Sequence, residues 1–461
     1  MPRLAPFLAG LAAAATLSAP QAGAAPPVDH PLDTGDPRPR LETAVAVDPR
    51  DPAHVVVGAL QMTGPALAAA ANGYYPSART WVSPDGGGSF EAGRLLPQLD
   101  DTSPASNDLT LAWDPHGSLY ASFTAFGAQS TSGPPDPREG VYVARSRDGR
   151  HWTRLGRVEG FHCEGPDRST VAVDPVRGWL YITWIHYAVA ADCSTIDFAR
   201  STLRWARSTD HGAHWGSPVE VTAPGVGQLI APAVTRDGTL VVAYLDETNT
   251  TRVAPDCGGQ AGTLMAARWD VHGRSLGAVP VLPDLCEDFA DLSPNGADYY
   301  LSTFPALAAD PATGRVVIAV SYTGARQGVM TSSSGDGGRT WTHSLVSGLP
   351  GTTATLPALG QGAGRFALTF LEVGPAGLYR PLLASSADGG RSWTTPASLV
   401  DVPSVGDLKP YGATDNYRIG HYMGVAVGSD RVAHAAWPDL RPRAGTGAAD
   451  VDVRVKAMPL P

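Results

Sequence analysis

Four short β-rich runs of this chain end in ionisable groups: His186, Asp246 with Glu247, Glu372, and Asp439. Carboxylates and an imidazole gathered at one mouth can exchange protons with a substrate or hold a polyhydroxylated ligand. Tyr187, Tyr299, Tyr300, Tyr417 and Tyr422 accompany them, and tyrosine rings suit stacking on sugar faces. Asp167-Arg168, close to Cys163 and Glu164, adds a carboxylate–guanidinium pair, which reads either as a ligand contact or as an internal salt bridge. The acidic run Asp284, Glu287, Asp288, Asp291 beside Cys286 offers oxygen ligands for calcium, but its spacing matches no EF-hand, and no metal or other cofactor is expected.

The elements that must position these groups are repeats. Five turn signatures punctuate the chain: Ser83-Pro-Asp85-Gly-Gly87-Gly-Ser-Phe90, Ser146-Arg-Asp148-Gly149-Arg-His-Trp152, Ser208-Thr-Asp210-His-Gly212-Ala-His-Trp215, Ser334-Gly-Asp336-Gly-Gly338-Arg-Thr-Trp341 and Ser386-Ala-Asp388-Gly-Gly390-Arg-Ser-Trp393. The Asp carboxylate is expected to accept backbone amides of the turn, Gly to supply a positive φ, and the aromatic ring to anchor the returning strand. The signature aspartates are spaced by 63, 62, 126 and 52 residues, and the long gap holds a degenerate sixth copy at Trp269-Asp270-Val-His-Gly273. A period of this size indicates a propeller or solenoid.

A second pattern opens each repeat, two β-rich runs joined by a tight turn. Its copies span 42–60, 108–126, 169–187, 229–247, 304–322, 356–373 and 422–440. Seven openers, six of them followed by a strand, a turn signature or its remnant, and another strand, predict an all-β propeller of seven four-stranded antiparallel blades. The last blade has only one further run, Asp450 to Lys456, and residues 29–40 are too Pro-rich for a good closing strand. Ring closure is left open, and six blades is the alternative.

Loops of a propeller alternate between two faces. With the turn signatures on one face, the loops between second and third strands and those between blades lie on the other, around the channel mouth. Cys163, Cys193, Cys257 and Cys286 all fall in or beside such loops and form two pairs of similar spacing. Met1 to about Ala25 reads as a secretory signal, with Arg3, an Ala/Leu-rich run and Ala22-Gly23-Ala24 before the cut. Export favours the disulfides Cys163–Cys193 and Cys257–Cys286, although four cysteines allow three connectivities. Residues 26–461 are then a single secreted or periplasmic domain. A formal net charge of −10, from 34 basic and 44 acidic residues, argues against a nucleic-acid partner, and no later segment is apolar enough to span a membrane.

The S-x-D-x-G-x-x-W/F signature resembles the Asp box of the sialidase superfamily and other BNR-repeat proteins. That resemblance implies a binding site on the face opposite the boxes. It also implies three arginines on a sialate carboxylate, a Tyr nucleophile paired with Glu, and an Asp acid/base. The family's first arginine, in F/Y-R-I-P, enters an innermost strand; Thr303-Phe-Pro-Ala and Thr355-Leu-Pro-Ala place Thr there, and the other openers present Leu41, Asn107, Asp167, Gln228 and His421. On this register no arginine occupies the ring. Tyr417-Arg418-Ile419-Gly420 is the nearest literal match, followed by Asp439-Leu-Arg441 and, further on, Asp450. Gly420-His421-Tyr422-Met423-Gly424 and Trp437-Pro-Asp439-Leu-Arg441 are similar to a pattern of secreted bacterial BNR-repeat proteins.

The catalytic candidates, from the resemblance and from the ionisable strand ends together, are Asp439, Tyr422, Arg418, Asp246 and Glu372. Asp167, Arg168, His186, Tyr187, Glu247, His421 and Arg441 are the ligand-binding candidates. The function expected is recognition, extending to hydrolysis, of a glycan or glycoconjugate at the channel face. A non-catalytic scaffold for protein or cell-envelope partners is the alternative, and exo-α-sialidase activity through an arginine triad is the less favoured outcome.

Overall fold

The computed structural model describes residues 29–461 apart from 33–35, 37, 64–74, 98–104, 127–138, 161–165, 191–194, 249–260, 287–303, 323–327, 347–350, 375–377, 406–419 and 442–450. Every opener folds as an antiparallel hairpin. In the third, Asp167–Val173 pairs with Leu180–Val189, and the Asp174 carboxylate accepts the amides of Val176 and Arg177 at 2.8 Å to close the turn. Asp114 does the same for the amides of His116 and Ser118. An aspartate two to four residues ahead of the amides it accepts thus supplies the turn that an Asp-Pro or Asp-x-Gly sequence announces.

Seven sheets result, with first strands Arg40–Asp48, Ala105–Trp113, Asp167–Val173, Gln228–Val234, Ala306–Ala309, Thr353–Gly362 and Gly424–Val427. Each first strand lies against that of the next blade, and the seventh lies against the first, so the ring is a closed seven-bladed propeller rather than a six-bladed one. Second strands such as Leu180-Tyr-Ile-Thr-Trp-Ile185 are buried on both faces because blades stack sheet on sheet, which is why they read as continuous apolar runs. The core lies between blades: Tyr181 and Trp205 of the third pack with Tyr244 and Trp269 of the fourth, the two Trp rings 5.6 Å apart. No described helix is long and apolar enough to cross a membrane.

The last blade is four-stranded. Its fourth strand is His30–Pro31, which pairs antiparallel with Asp452–Pro459, and Leu32 donates its amide to the Val453 carbonyl at 2.9 Å. The Pro-rich composition that argued against a strand costs nothing here. His30–Pro31 is the outer edge of its sheet, where one amide face needs no partner.

The five turn signatures connect third and fourth strands and share one hydrogen-bond plan. Ser83 Oγ accepts the buried Gly87 amide at 2.8 Å and donates to Asp85, whose other contacts are the Ser89 amide and hydroxyl. The same set recurs at Ser334/Asp336 and Ser386/Asp388. The degenerate copy keeps the acceptor alone, Asp270 taking the amides of His272 and Arg274. Each turn also reaches the preceding blade. Trp152 Nε1 donates to Thr80 Oγ1 and Trp393 Nε1 to Thr331 Oγ1, both at 3.0 Å, while a Cβ on Gly149, at φ 68°, would strike Val56 and Val82. The aromatic ring therefore anchors the neighbouring blade as well as its own returning strand.

Candidate functional site

Where five of the seven first strands begin, the pairing register slips: between Leu41 and Ala44, Asn107 and Thr110, Asp167 and Thr170, Gln228 and Ala231, Thr355 and Ala358. At each slip one residue takes a left-handed backbone, Glu42 at φ 54°, Asp108 at 56°, Arg168 at 56°, Leu229 at 59° and Leu356 at 52°. These are β-bulges, and a bulge reverses which residues face a given side. The side chains that meet at the axis are accordingly one position later than the alternation of the strands suggests. Because Leu229 and Leu356 share the backbone, the strained conformation belongs to the architecture, not to the chemistry.

Read one residue later, the openers present Glu42, Asp108, Arg168, Leu229, Phe304, Leu356 and Tyr422, of which Leu229 and Leu356 enter apolar core clusters. The Arg168 guanidinium of the third blade stands 3.8 Å from the centroid of the Tyr422 ring, from the seventh, and 4.8 Å from that of Phe304, from the fifth. Contacts between blades this far apart in the ring are possible only at its centre. An arginine does occupy the ring, and its apparent absence was the one-residue offset of the bulge.

Around Arg168 the groups interlock. Asp108 accepts the Arg168 amide at 3.0 Å, and Asp167 accepts the same amide at 2.9 Å and the Tyr187 hydroxyl at 3.3 Å. Glu42 accepts the His421 amide at 3.1 Å, with His421 Nδ1 3.2 Å from the same oxygen. Glu42, Asp108 and Tyr422 are 6–7% exposed. Nε and Nη1 of Arg168 and the Tyr422 hydroxyl are buried without a hydrogen bond of good geometry. Burial, then the charges of Asp167 and Glu42, push the Asp108 carboxyl well above the usual carboxylate range. Glu42 goes the other way: burial would raise it, but the His421 hydrogen bond and charge and the Arg168 guanidinium hold it below its ordinary value. Burial and the two carboxylates push the Tyr422 phenol well up, so it is a neutral donor. Two buried carboxyls whose hold on the proton is pushed in opposite directions thus share the site, an arrangement that suits a general acid and a general base.

Of the residues expected from sequence, the structure brings together Asp167, Arg168, Tyr187, His421 and Tyr422. The others lie apart. His186 is 3.3 Å from Glu159, which also binds Arg204 and Trp184. Asp246 is capped by the Thr248 amide and hydroxyl, and Glu247 beside it has a buried Oε1 without a partner. Glu372 is held by Arg380 at 2.5 and 2.7 Å and by Thr352. Asp439, 1% exposed, accepts Trp437 Nε1 and the backbone and guanidinium of Arg441, which in turn bonds Asp29; that group fastens the closing strand. Arg418, Tyr417, Tyr299, Tyr300, Asp450, Glu287, Asp288, Asp291 and the side chains of all four cysteines lie outside the described residues, and among the described residues no cluster of metal-ligating groups occurs.

Glu42 and Asp108 were missed, yet a signal exists. Glu42-Thr-Ala-Val-Ala-Val, Asp108-Leu-Thr-Leu-Ala-Trp and Arg168-Ser-Thr-Val-Ala-Val put a charge at one position of three consecutive openers.

No family model matches the chain, and no curated protein does. Solved structures resemble it at low identity. A protein of unknown function from Dyadobacter fermentans is 13% identical, with 77% of this chain and 95% of that one covered at a TM-score of 0.49. A Hadza microbial sialidase is 18% identical, covering 84% and 73% at 0.45. An α-L-arabinanase of Penicillium chrysogenum is 13% identical, covering 94% and 97% at 0.47.

Proposed function

We propose that this chain is an exported, sialidase-like propeller of the Asp-box type that recognises a carbohydrate at the ring centre and hydrolyses a glycosidic bond there. The observation that carries the proposal is the stack of Arg168 on Tyr422 at the ring centre beside two buried carboxyls, Asp108 pushed well up and Glu42 held down. In this reading Asp108 protonates the leaving oxygen. Tyr422, passing its proton to Glu42, serves as nucleophile, and a neutral phenol avoids presenting charge to an anionic sugar. Arg168 orients a polar or anionic substituent.

The second reading, a non-catalytic binding scaffold, draws support from the deep burial of Glu42, Asp108 and Tyr422. A glycan array combined with a chromogenic glycoside panel separates the two. Turnover lost in Asp108→Asn and in Tyr422→Phe, with the melting temperature kept, supports the enzyme; glycan binding without turnover supports the scaffold; neither activity on any glycan sinks the carbohydrate reading. Export with the disulfides Cys163–Cys193 and Cys257–Cys286 belongs to the same proposal. Non-reducing peptide mapping that finds free thiols or crossed pairs overturns that part.

A further inference from the structure

On the face that carries the turn signatures, a cleft of about 560 Å³ opens at the seam between the fourth and fifth blades. Three arginines line it: Arg236 from the first hairpin of the fourth blade, Arg268 from its third strand, and Arg339 from the turn signature of the fifth. Arg268 is 7% exposed. Its stem passes under the turn, 3.3 Å from where a Cβ on Gly338 would lie, so the head is fixed. The guanidinium donates to the Leu276 carbonyl at 3.3 Å, and its Nε is buried with no hydrogen-bond partner.

The carboxylates at the cleft are already committed. Asp237 takes the Thr235 hydroxyl and the Thr239 amide, and Asp336 takes Ser334, the Arg339 and Thr340 amides and the Thr340 hydroxyl. Burial and then the charge of Arg339 push the Arg268 guanidinium down, and the charge of Asp336 offsets only part of this. The preceding seam is built differently. There Arg207, at the position equivalent to Arg268, donates to the Val271 carbonyl at 2.5 Å and covers Trp179, and no second arginine lines the cleft.

We propose that this cleft binds a tetrahedral oxyanion, the sulfate or phosphate group of a larger ligand, through Arg236, Arg268 and Arg339. Planar guanidinium groups presented from three separate segments match oxygens that point in several directions better than they match a flat carboxylate. A sulfated saccharide and a phosphate ester carry the same chemistry. Isothermal titration of the full chain at fixed ionic strength with inorganic sulfate, inorganic phosphate and acetate tests it, followed by a sulfated disaccharide against glycerol phosphate to distinguish the sources. Saturable binding of sulfate or phosphate is expected, weakened roughly tenfold or more in Arg236→Ser/Arg339→Ser, whose two positions are exposed and leave the fold intact. Arg268→Lys, which keeps the charge but loses the fork, should weaken it as well. Equal affinity in wild type and the double variant, acetate binding as tightly as sulfate, or no saturation by either oxyanion overturns the proposal.

Discussion

Asp108 is the residue on which the proposed chemistry of the ring turns, and its raised pKa has a measurable consequence for stability. A carboxyl raised in the folded protein above its unfolded value of about 3.9 stabilises the fold below that value, and the contribution is lost as pH rises through the folded pKa. Above it, the native protein holds a buried charge near Glu42 and Asp167. Asp108→Asn removes that charge while its amide oxygen can still accept the Arg168 amide. The variant should therefore be more stable than wild type at pH 8 and lose this advantage toward pH 4. Urea midpoints at the two pH values check it, and a variant less stable at pH 8 refutes the protonation scheme. Glu42 has the opposite sign: held low by His421 and Arg168, it stabilises at neutral pH and loses that as the medium is acidified. The residue scale is also where sequence reading stopped short. Arg168, Tyr422 and His421 were legible as candidates because charge and aromatic residues stand out at strand entries. Glu42 and Asp108 were not, because alternation was carried through a bulge whose left-handed residue no composition signal marks.

At the scale of elements the turn signature was legible almost completely, since its hydrogen bonds are local and its period is regular. What the sequence could not reveal is how the work divides between Ser and Asp. The buried donor, the Gly338 amide, goes to the Ser334 hydroxyl, whereas the amides taken by Asp336 are exposed and have water as an alternative. Losing an acceptor for a buried donor costs more than losing one for a solvated donor. Ser334→Ala should then destabilise by about 1–3 kcal/mol and Asp336→Ala by about 1 kcal/mol or less, measured by urea denaturation. The reverse order would mean that the carboxylate organises the turn. Asp388, held down to about 2 by the Ser392 and Ser386 hydroxyls and the Ser392 amide against burial, contributes stability above about pH 4 that fades as pH falls toward 2. Neither substitution should alter glycan binding at the ring centre, because the turns and the ring lie at opposite ends of the strands.

The whole molecule depends on a contact that joins the two ends of the described chain. Blade count followed from the repeats, but closure did not, because a two-residue edge strand containing proline leaves no periodic trace. It is held by more than its two residue pairs. Leu32, 2% exposed, enters a core with Val45, Trp81, Val453 and Val455, which belong to the first and seventh blades. Arg40, fully buried, binds Asp452 at 2.8 Å across the same seam, and Arg441 and Arg454 share Asp29. Other blades also end in two-residue strands, such as Val219–Glu220 and Ala397–Ser398, yet each of those edges serves one sheet. Damage at the closing strand should instead release the interface between the first and last blades, because the chain that crosses this seam into Arg40–Asp48 is anchored in the last blade only by the non-covalent contacts of residues 29–32. Leu32→Ala is predicted to cost about 2–4 kcal/mol, the range for a truncated core leucine, and Asp29→Ala to add to it by leaving two guanidinium groups without their shared partner. Hydrogen exchange gives the discriminating measurement. Amides of 40–48 and 452–459 should lose protection together in Leu32→Ala while those of the fourth blade, Gln228–Val234 and Leu240–Asp246, keep theirs. Uniform loss across all seven blades would show instead that the ring opens only by global unfolding, and that the closing strand is no weaker than the seams it resembles.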